Sequence, residues 1–223
     1  MKTSFALLFD MDGVIADTNP CHKETIKQFC DRYDKKVSDE FMEKRIYGRT
    51  NKEWIPELFE GELNADELEK FAHEKEAMFR ENYKDDLEAV AGLPGFLERM
   101  KSEDVPMVVA TSAPIENADF ILDGLNIRSY FKGLLTSADV DKGKPEPEVY
   151  QKAAASVGFK PENCIVLEDS LAGVMAGKNA GCKVIGITTT HTREELSHCD
   201  LVITDFETLQ VKDLQNLFEE VQA

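Results

Sequence analysis

The chain has 223 residues, with 43 Asp and Glu against 26 Lys and Arg, for a formal net charge of −17. A surface this acidic repels phosphate backbones and anionic lipid, so nucleic acid and membrane surfaces are excluded as partners. With 42% hydrophobic residues and no apolar run near the ~20 residues of a membrane span, the length suits one large domain, or one domain with a smaller insert, whose core needs no disulfide or metal staple.

Ser-Phe-Ala-Leu-Leu-Phe at 4–9 predicts a short strand buried on both faces. Its apolar run is too short for a signal h-region and has no cleavage site, so a cytoplasmic protein is expected. From 18 to 87 the strand signals stop. Ile26, Phe29, Cys30 and Tyr33, then Leu68, Phe71, Lys75, Met78 and Phe79, recur at helical spacing, with helix starts at Ser38 and at Asn64, where Glu67 completes a capping box. Apolar runs then recur at 107–110, 133–135, 164–167, 183–187 and 201–203, with helices predicted between most of them at 94–101, 114–124, 146–157, 170–180 and 211–221. Pro94, Pro114 and Pro147 fit first helical turns, and Gly181 fits a C-cap. Strands alternating with helices predict a parallel sheet with helices on both faces, an α/β fold. Its domain would comprise 1–17 and 88–223, with an inserted α-helical cap domain at 18–87. Cys21, Cys30, Cys164, Cys182 and Cys199 form no Cys-x-x-Cys pair and are odd in number, which argues against a disulfide framework or a zinc site.

Four polar clusters fall just past predicted strands: Asp10-Met11-Asp12-Gly13, Thr111-Ser112, Gly143-Lys144-Pro145 opening a helix, and Glu168-Asp169-Ser170. Taken singly, each reads as turn chemistry, a helix cap or a solvated loop lysine. Taken together they crowd Asp10, Asp12, Glu168 and Asp169 onto one sheet edge, where ligands bind in such folds. That crowding is costly unless positive charge sits among them. Oxygen donors of this kind suit a hard cation, Mg²⁺ above all, and a hydroxyl with an ammonium beside it suits a phosphoryl group.

Asp10-Met11-Asp12-Gly13-Val14-Ile15-x-Asp17-Thr18 resembles the first motif of the haloacid dehalogenase superfamily of phosphohydrolases; Thr111 resembles the second, Lys144 the third and Glu168-Asp169 the fourth. The helical insert, and Ser170-x-Ala172-Gly173-x-x-Ala176-Gly177-x-x-Ala180-Gly181, are similar to the β-phosphoglucomutase-like subgroup; the small residues there suit close helix–sheet packing. The resemblance implies a Rossmann-like core with Asp10 as nucleophile and Asp12 as general acid and then base, protonated when substrate binds. It also implies Mg²⁺ held by the Asp10 carboxylate, the Asp12 backbone carbonyl and Asp169, with Glu168 acting through water or in support. Thr111, Lys144 and backbone amides near Asp12 and Ser112 would hold the phosphoryl oxygens. Dehalogenases of this superfamily lack the second aspartate, so Asp12 points to phosphate chemistry.

The insert chooses the substrate. His22 follows Asp17-Thr18 at the spacing of a histidine that couples cap closure to catalysis in β-phosphoglucomutase; a lone histidine on an early helix is more often a surface or interface residue. Gly48-Arg49-Thr50-Asn51-Lys52, with Trp54 nearby, groups Arg49, Asn51 and Lys52 as substrate-binding candidates in a short loop, or else begins an exposed helix capped by Thr50 or Asn51. The arginine is shifted relative to the mutases, and no basic residue follows Thr111-Ser112 in Ala113-Pro114-Ile115-Glu116-Asn117. The expected function is that of a monomeric, Mg²⁺-dependent phosphohydrolase acting on a small phosphorylated metabolite, a sugar phosphate, through an aspartyl-phosphate. A β-phosphoglucomutase is the alternative, and a non-catalytic phosphometabolite-binding module stands behind both.

Overall fold

Four consecutive buried residues, Ala6–Phe9, form β1 of the computed structural model, which describes residues 4–46, 50–61 and 63–219. Ala6 and Leu8 join Val108, Tyr150, Ala153 and Val174 in one core layer, while Phe9 meets Phe96, Phe131 and Phe206. Side chains alternate along a strand, so an all-apolar run is what burial on both faces requires.

The chain divides into two compact units, Met1–Asp17 with Leu87–Ala223, and Thr18–Asp86. The second is helical: α1 (Asn19–Arg32), α2 (Asp39–Arg45), α3 (Asn51–Leu58) and α4 (Ala65–Tyr83). Their starts follow from local chemistry. Ser38 Oγ accepts from Phe41 N at 3.1 Å, Glu53 accepts from both the amide and the hydroxyl of Thr50, and Asn64 and Glu67 cap each other reciprocally. Phe29, Trp54, Ile55 and Leu58 form the buried centre of this unit, with Tyr33, Phe59 and Phe71 packed against it.

In the first unit, α5 (Leu93–Ser102) leads to β2 (Met107–Ala110), α6 (Ile115–Gly124) to β3 (Gly133–Leu135) and α7 (Glu148–Ser156) to β4 (Cys164–Glu168). Then α8 (Leu171–Ala180), β5 (Lys183–Ile187), β6 (Leu201–Ile203) and α9 (Val211–Asn216) follow. The strands are parallel, in the order β3-β2-β1-β4-β5-β6. After β1 the chain goes first to one side and later to the other, so the switch of direction lies between β1 and β4. In open α/β sheets that crevice is where ligands bind.

Two expected helices shift. α7 begins at Glu148 rather than 146, because Pro147 disfavours helical geometry at Glu146, and Lys144 therefore sits in the loop ahead of the helix, not at its opening. α9 ends at Asn216 rather than 221, with a turn through 217–218. The five cysteines are free; burial pushes the thiols of Cys164 and Cys182 up to about 12, so both behave as core hydrophobes. Among the described residues no helix is long and apolar enough to cross a membrane.

Candidate active site

Strand register brings the polar clusters together. Phe9 pairs with Val109 on one side and with Leu167 on the other, so Asp10 stands level with Ala110 and Glu168, and Thr111 and Asp169 lie one residue further out. The Asp10 amide donates to Leu167 O at 3.0 Å and the Thr111 amide to Leu135 O at 3.0 Å, which carries the sheet one step past each strand. After Asp10 the backbone turns at once: Gly13 takes φ 76° and donates to Ala16 O at 2.8 Å, and Thr189 Oγ1 donates to Gly13 O at 2.6 Å. The left-handed conformation at 13 favours glycine.

The carboxylates of Asp10, Glu168 and Asp169 offer oxygens within 4.8 Å of one another, and all three residues are buried. Lys144 Nζ donates to Asp10 Oδ1 and to Glu168 Oε1, each at 2.6 Å. Glu168 Oε1 also accepts from the Tyr150 hydroxyl at 2.7 Å, and Oε2 accepts from the Asp169 and Ser170 amides and from Ser170 Oγ. Asp169 Oδ2 accepts from the Thr190 hydroxyl. Asp12 is half-buried; its charge acts on both Asp10 and Asp169. Thr111 is buried and its Oγ1 accepts from Ala113 N at 3.0 Å; Ser112 is exposed.

Among the described residues one lysine, Lys144, stands against these carboxylates, which leaves the site short of positive charge. Burial pushes Asp10 well above the ordinary carboxylate range, against the pull of Lys144, and the charges of Glu168, Asp169 and Asp12 push the same way. Burial and then the Glu168 charge raise Asp169 to about 7. Burial alone would lower Lys144, but Asp10 and Glu168 outweigh it and hold the ammonium above its usual value. A desolvated trio of hard oxygen donors with excess negative charge is what a divalent cation neutralises, so the residues fit Mg²⁺.

The sequence model of haloacid dehalogenase-like hydrolases matches residues 7–187, a span that includes Asp10, Asp12, Thr111, Lys144, Tyr150, Glu168 and Asp169, with Thr189 and Thr190 just beyond it. The chain belongs to the haloacid dehalogenase-like hydrolases. It is 34% identical over 184 residues to the phosphorylated carbohydrates phosphatase of Thermotoga maritima, covering 81% of this chain and 83% of that protein. It is 30% identical over 192 residues to the β-phosphoglucomutase of Bacillus subtilis, covering 82% of each. A solved haloacid dehalogenase hydrolase of family IA from Entamoeba histolytica matches with a TM-score of 0.88 at 28% identity, covering 97% of this chain and 99% of that one.

The helical unit of this haloacid dehalogenase-like hydrolase holds its own polar cluster. The His22 ring stacks on Phe79 at 3.8 Å, and Lys75 Nζ lies 3.1 Å from His22 Nδ1. An ammonium only donates, so Nδ1 is the acceptor in this contact. Lys75 also donates to Glu76 Oε1 at 2.9 Å; the same oxygen accepts from Asn51 Nδ2 at 2.7 Å, and Trp54 Nε1 donates to Asn51 Oδ1 at 3.2 Å. Asn51 and Lys52 thus lie in the first turn of α3 rather than in a loop, because Thr50 takes the N-cap; Lys52 is exposed. Arg49 lies outside the described residues.

Sequence motifs do not single out Tyr150, Thr190, Lys75 or Glu76 as site residues. Lys75 leaves a trace, as a charged residue on the otherwise apolar stripe of α4. Tyr150 looks like any aromatic on a buried helix face, and Thr190 like a loop threonine.

Proposed function

We propose that this chain is a Mg²⁺-dependent phosphomonoesterase acting on a small phosphorylated metabolite, a sugar phosphate, with Asp10 as nucleophile. One observation carries the reading: Asp10, buried at the end of the central strand, is held at 2.6 Å by Lys144 with the carboxylates of Glu168 and Asp169 beside it. The relatives that are phosphatases and mutases of sugar phosphates support the substrate class. A binding module would have no use for a nucleophile with a second aspartate two residues on.

Asp10 and Asp169, with the backbone carbonyl of Asp12, would hold Mg²⁺, and Glu168 would support them. When bound, the ion supplies the charge that lets an anionic carboxylate approach an anionic phosphoryl group. An Asp10 carboxylate oxygen attacks phosphorus while Lys144 and the Thr111 hydroxyl hold the phosphoryl oxygens. The ester P–O bond breaks, and Asp12 gives its proton to the departing oxygen. Asp12 then takes a proton from water, whose oxygen attacks phosphorus; the bond to Asp10 breaks and phosphate leaves. The helical unit is inserted directly after the β1 turn, and the residues that would choose the substrate there are His22, Asn51 and Lys52, with Arg49 as the sequence nominates it.

A phosphometabolite panel with Mg²⁺ tests the reading. Phosphate release from sugar phosphates, abolished in Asp10→Asn, is expected. Bisphosphate-dependent conversion of β-glucose 1-phosphate to glucose 6-phosphate without net release would make the chain a mutase, and no turnover across the panel would leave only a binding role.

A further inference from the structure

We propose that Tyr150 is a positioning residue whose hydroxyl caps Glu168, so that the ammonium of Lys144 stays on Asp10. This rests on the roles of Asp10 and Lys144 given above.

Tyr150 lies in α7 with no exposed surface, although its hydroxyl needs a polar partner that a phenylalanine would not. The partner is Glu168 Oε1 at 2.7 Å, the oxygen that also accepts from Lys144 Nζ at 2.6 Å. Lys144 Nζ sits 5.0 Å from the centre of the Tyr150 ring, so the ring is its floor. The ammonium is divided between two carboxylates at equal distance, 2.6 Å to Asp10 and 2.6 Å to Glu168. How the division falls depends on how far each carboxylate is satisfied by other donors. Glu168 is satisfied throughout: Oε2 accepts from the Asp169 amide, the Ser170 amide and Ser170 Oγ at 3.1, 3.1 and 2.9 Å, and Oε1 accepts from Tyr150. Removing the hydroxyl strips Oε1 of its neutral donor, and the ammonium then moves toward Glu168 and away from the nucleophile. The ring itself also fills the layer with Leu8, Val149 and Ala153, so a purely structural role predicts that a phenylalanine serves as well.

Wild type, Tyr150→Phe, Lys144→Met and the double variant are compared on p-nitrophenyl phosphate with Mg²⁺, each checked for folding by circular dichroism. In parallel, metal-free wild type and Tyr150→Phe are labelled with trace acetic anhydride, and acetylation at each lysine is read by mass spectrometry. Tyr150→Phe is expected to lower kcat about tenfold with KM within about twofold, the loss typical of a hydrogen bond to a charged group. It is expected to cost nothing further in the Lys144→Met background, and to make Lys144 acetylate several-fold more slowly, because the ammonium is drawn to the fully buried Glu168, while the other lysines keep their rates. A kcat within about twofold of wild type, an equal loss in the Lys144→Met background, or an unchanged or faster Lys144 labelling rate overturns the proposal. If wild type turns over no phosphoester, the function reading fails instead, and the labelling still decides whether Tyr150 holds Lys144.

Discussion

A Cβ built on Gly173 would stand 1.6 Å from Glu168 Oε1 and 1.9 Å from its Cδ, so the first turn of α8 accepts no side chain while Glu168 keeps its place. In an open helix Gly→Ala stabilises by up to ~1 kcal/mol. Here Gly173→Ala is expected to destabilise by about 2–4 kcal/mol, since it breaks bonds to a buried carboxylate. A thermal melt reads the sign directly, and a rise in Tm would contradict the packing. Asp169 gives a second prediction. Its folded pKa, about 7, is raised from the ordinary 3.8, so the protonated carboxyl is favoured in the fold. That contribution is complete below about 3.8 and is lost as pH rises through about 7. In metal-free protein Asp169→Asn is therefore expected to be more stable than wild type at pH 8, with the gain shrinking on acidification in urea titrations. Asp10, Thr111, Glu168 and Asp169 were legible because each ends or directly follows an apolar run, whereas Lys144, in the loop between β3 and α7, was legible only through the motif resemblance. Tyr150 and Thr190 were not, because their partners are distant in sequence: Glu168 and Asp169 lie 18 and 21 residues away.

α7 carries a staple for the loop that leads to Lys144. Glu148, in its first turn, accepts from the amides of Asp141 and Lys142 and from Lys152 Nζ. The Lys152 bond and then the two amide bonds lower its pKa from the ordinary 4.5 to about 2. A depressed pKa stabilises above the ordinary value and loses its effect as pH falls from about 4.5 to about 2. Glu148→Gln is thus expected to be less stable than wild type at pH 6, with the difference narrowing by pH 3 in urea titrations; a gap independent of pH would contradict the staple. The strands were readable as elements because short apolar runs bounded by turn residues leave little choice. The start of α7 was misplaced because Glu148 completes the helix only after two prolines, at 145 and 147, have ended the loop.

For the whole molecule, the charge of −17 opposes any anionic ligand. Screening limits that repulsion to about 8–10 Å at ordinary salt, so binding of phosphate depends on what neutralises the site itself. Metal-free protein in EDTA is expected to bind inorganic phosphate weakly by calorimetry and Mg²⁺-loaded protein more tightly; equal affinity in both would contradict the proposed role of the carboxylates. The strand order β3-β2-β1-β4-β5-β6 was not legible, because pairing between strands far apart in sequence leaves no local pattern, although it is what brings Asp10 beside Glu168. The central claim is that Asp10 carries the phosphoryl group, and a borohydride trap tests it most directly. Protein quenched during turnover of a phosphoester with Mg²⁺ and reduced with sodium borohydride should show Asp10 converted to homoserine in its peptide, whereas turnover with Asp10 unmodified, or with reduction at another carboxylate, would contradict the account.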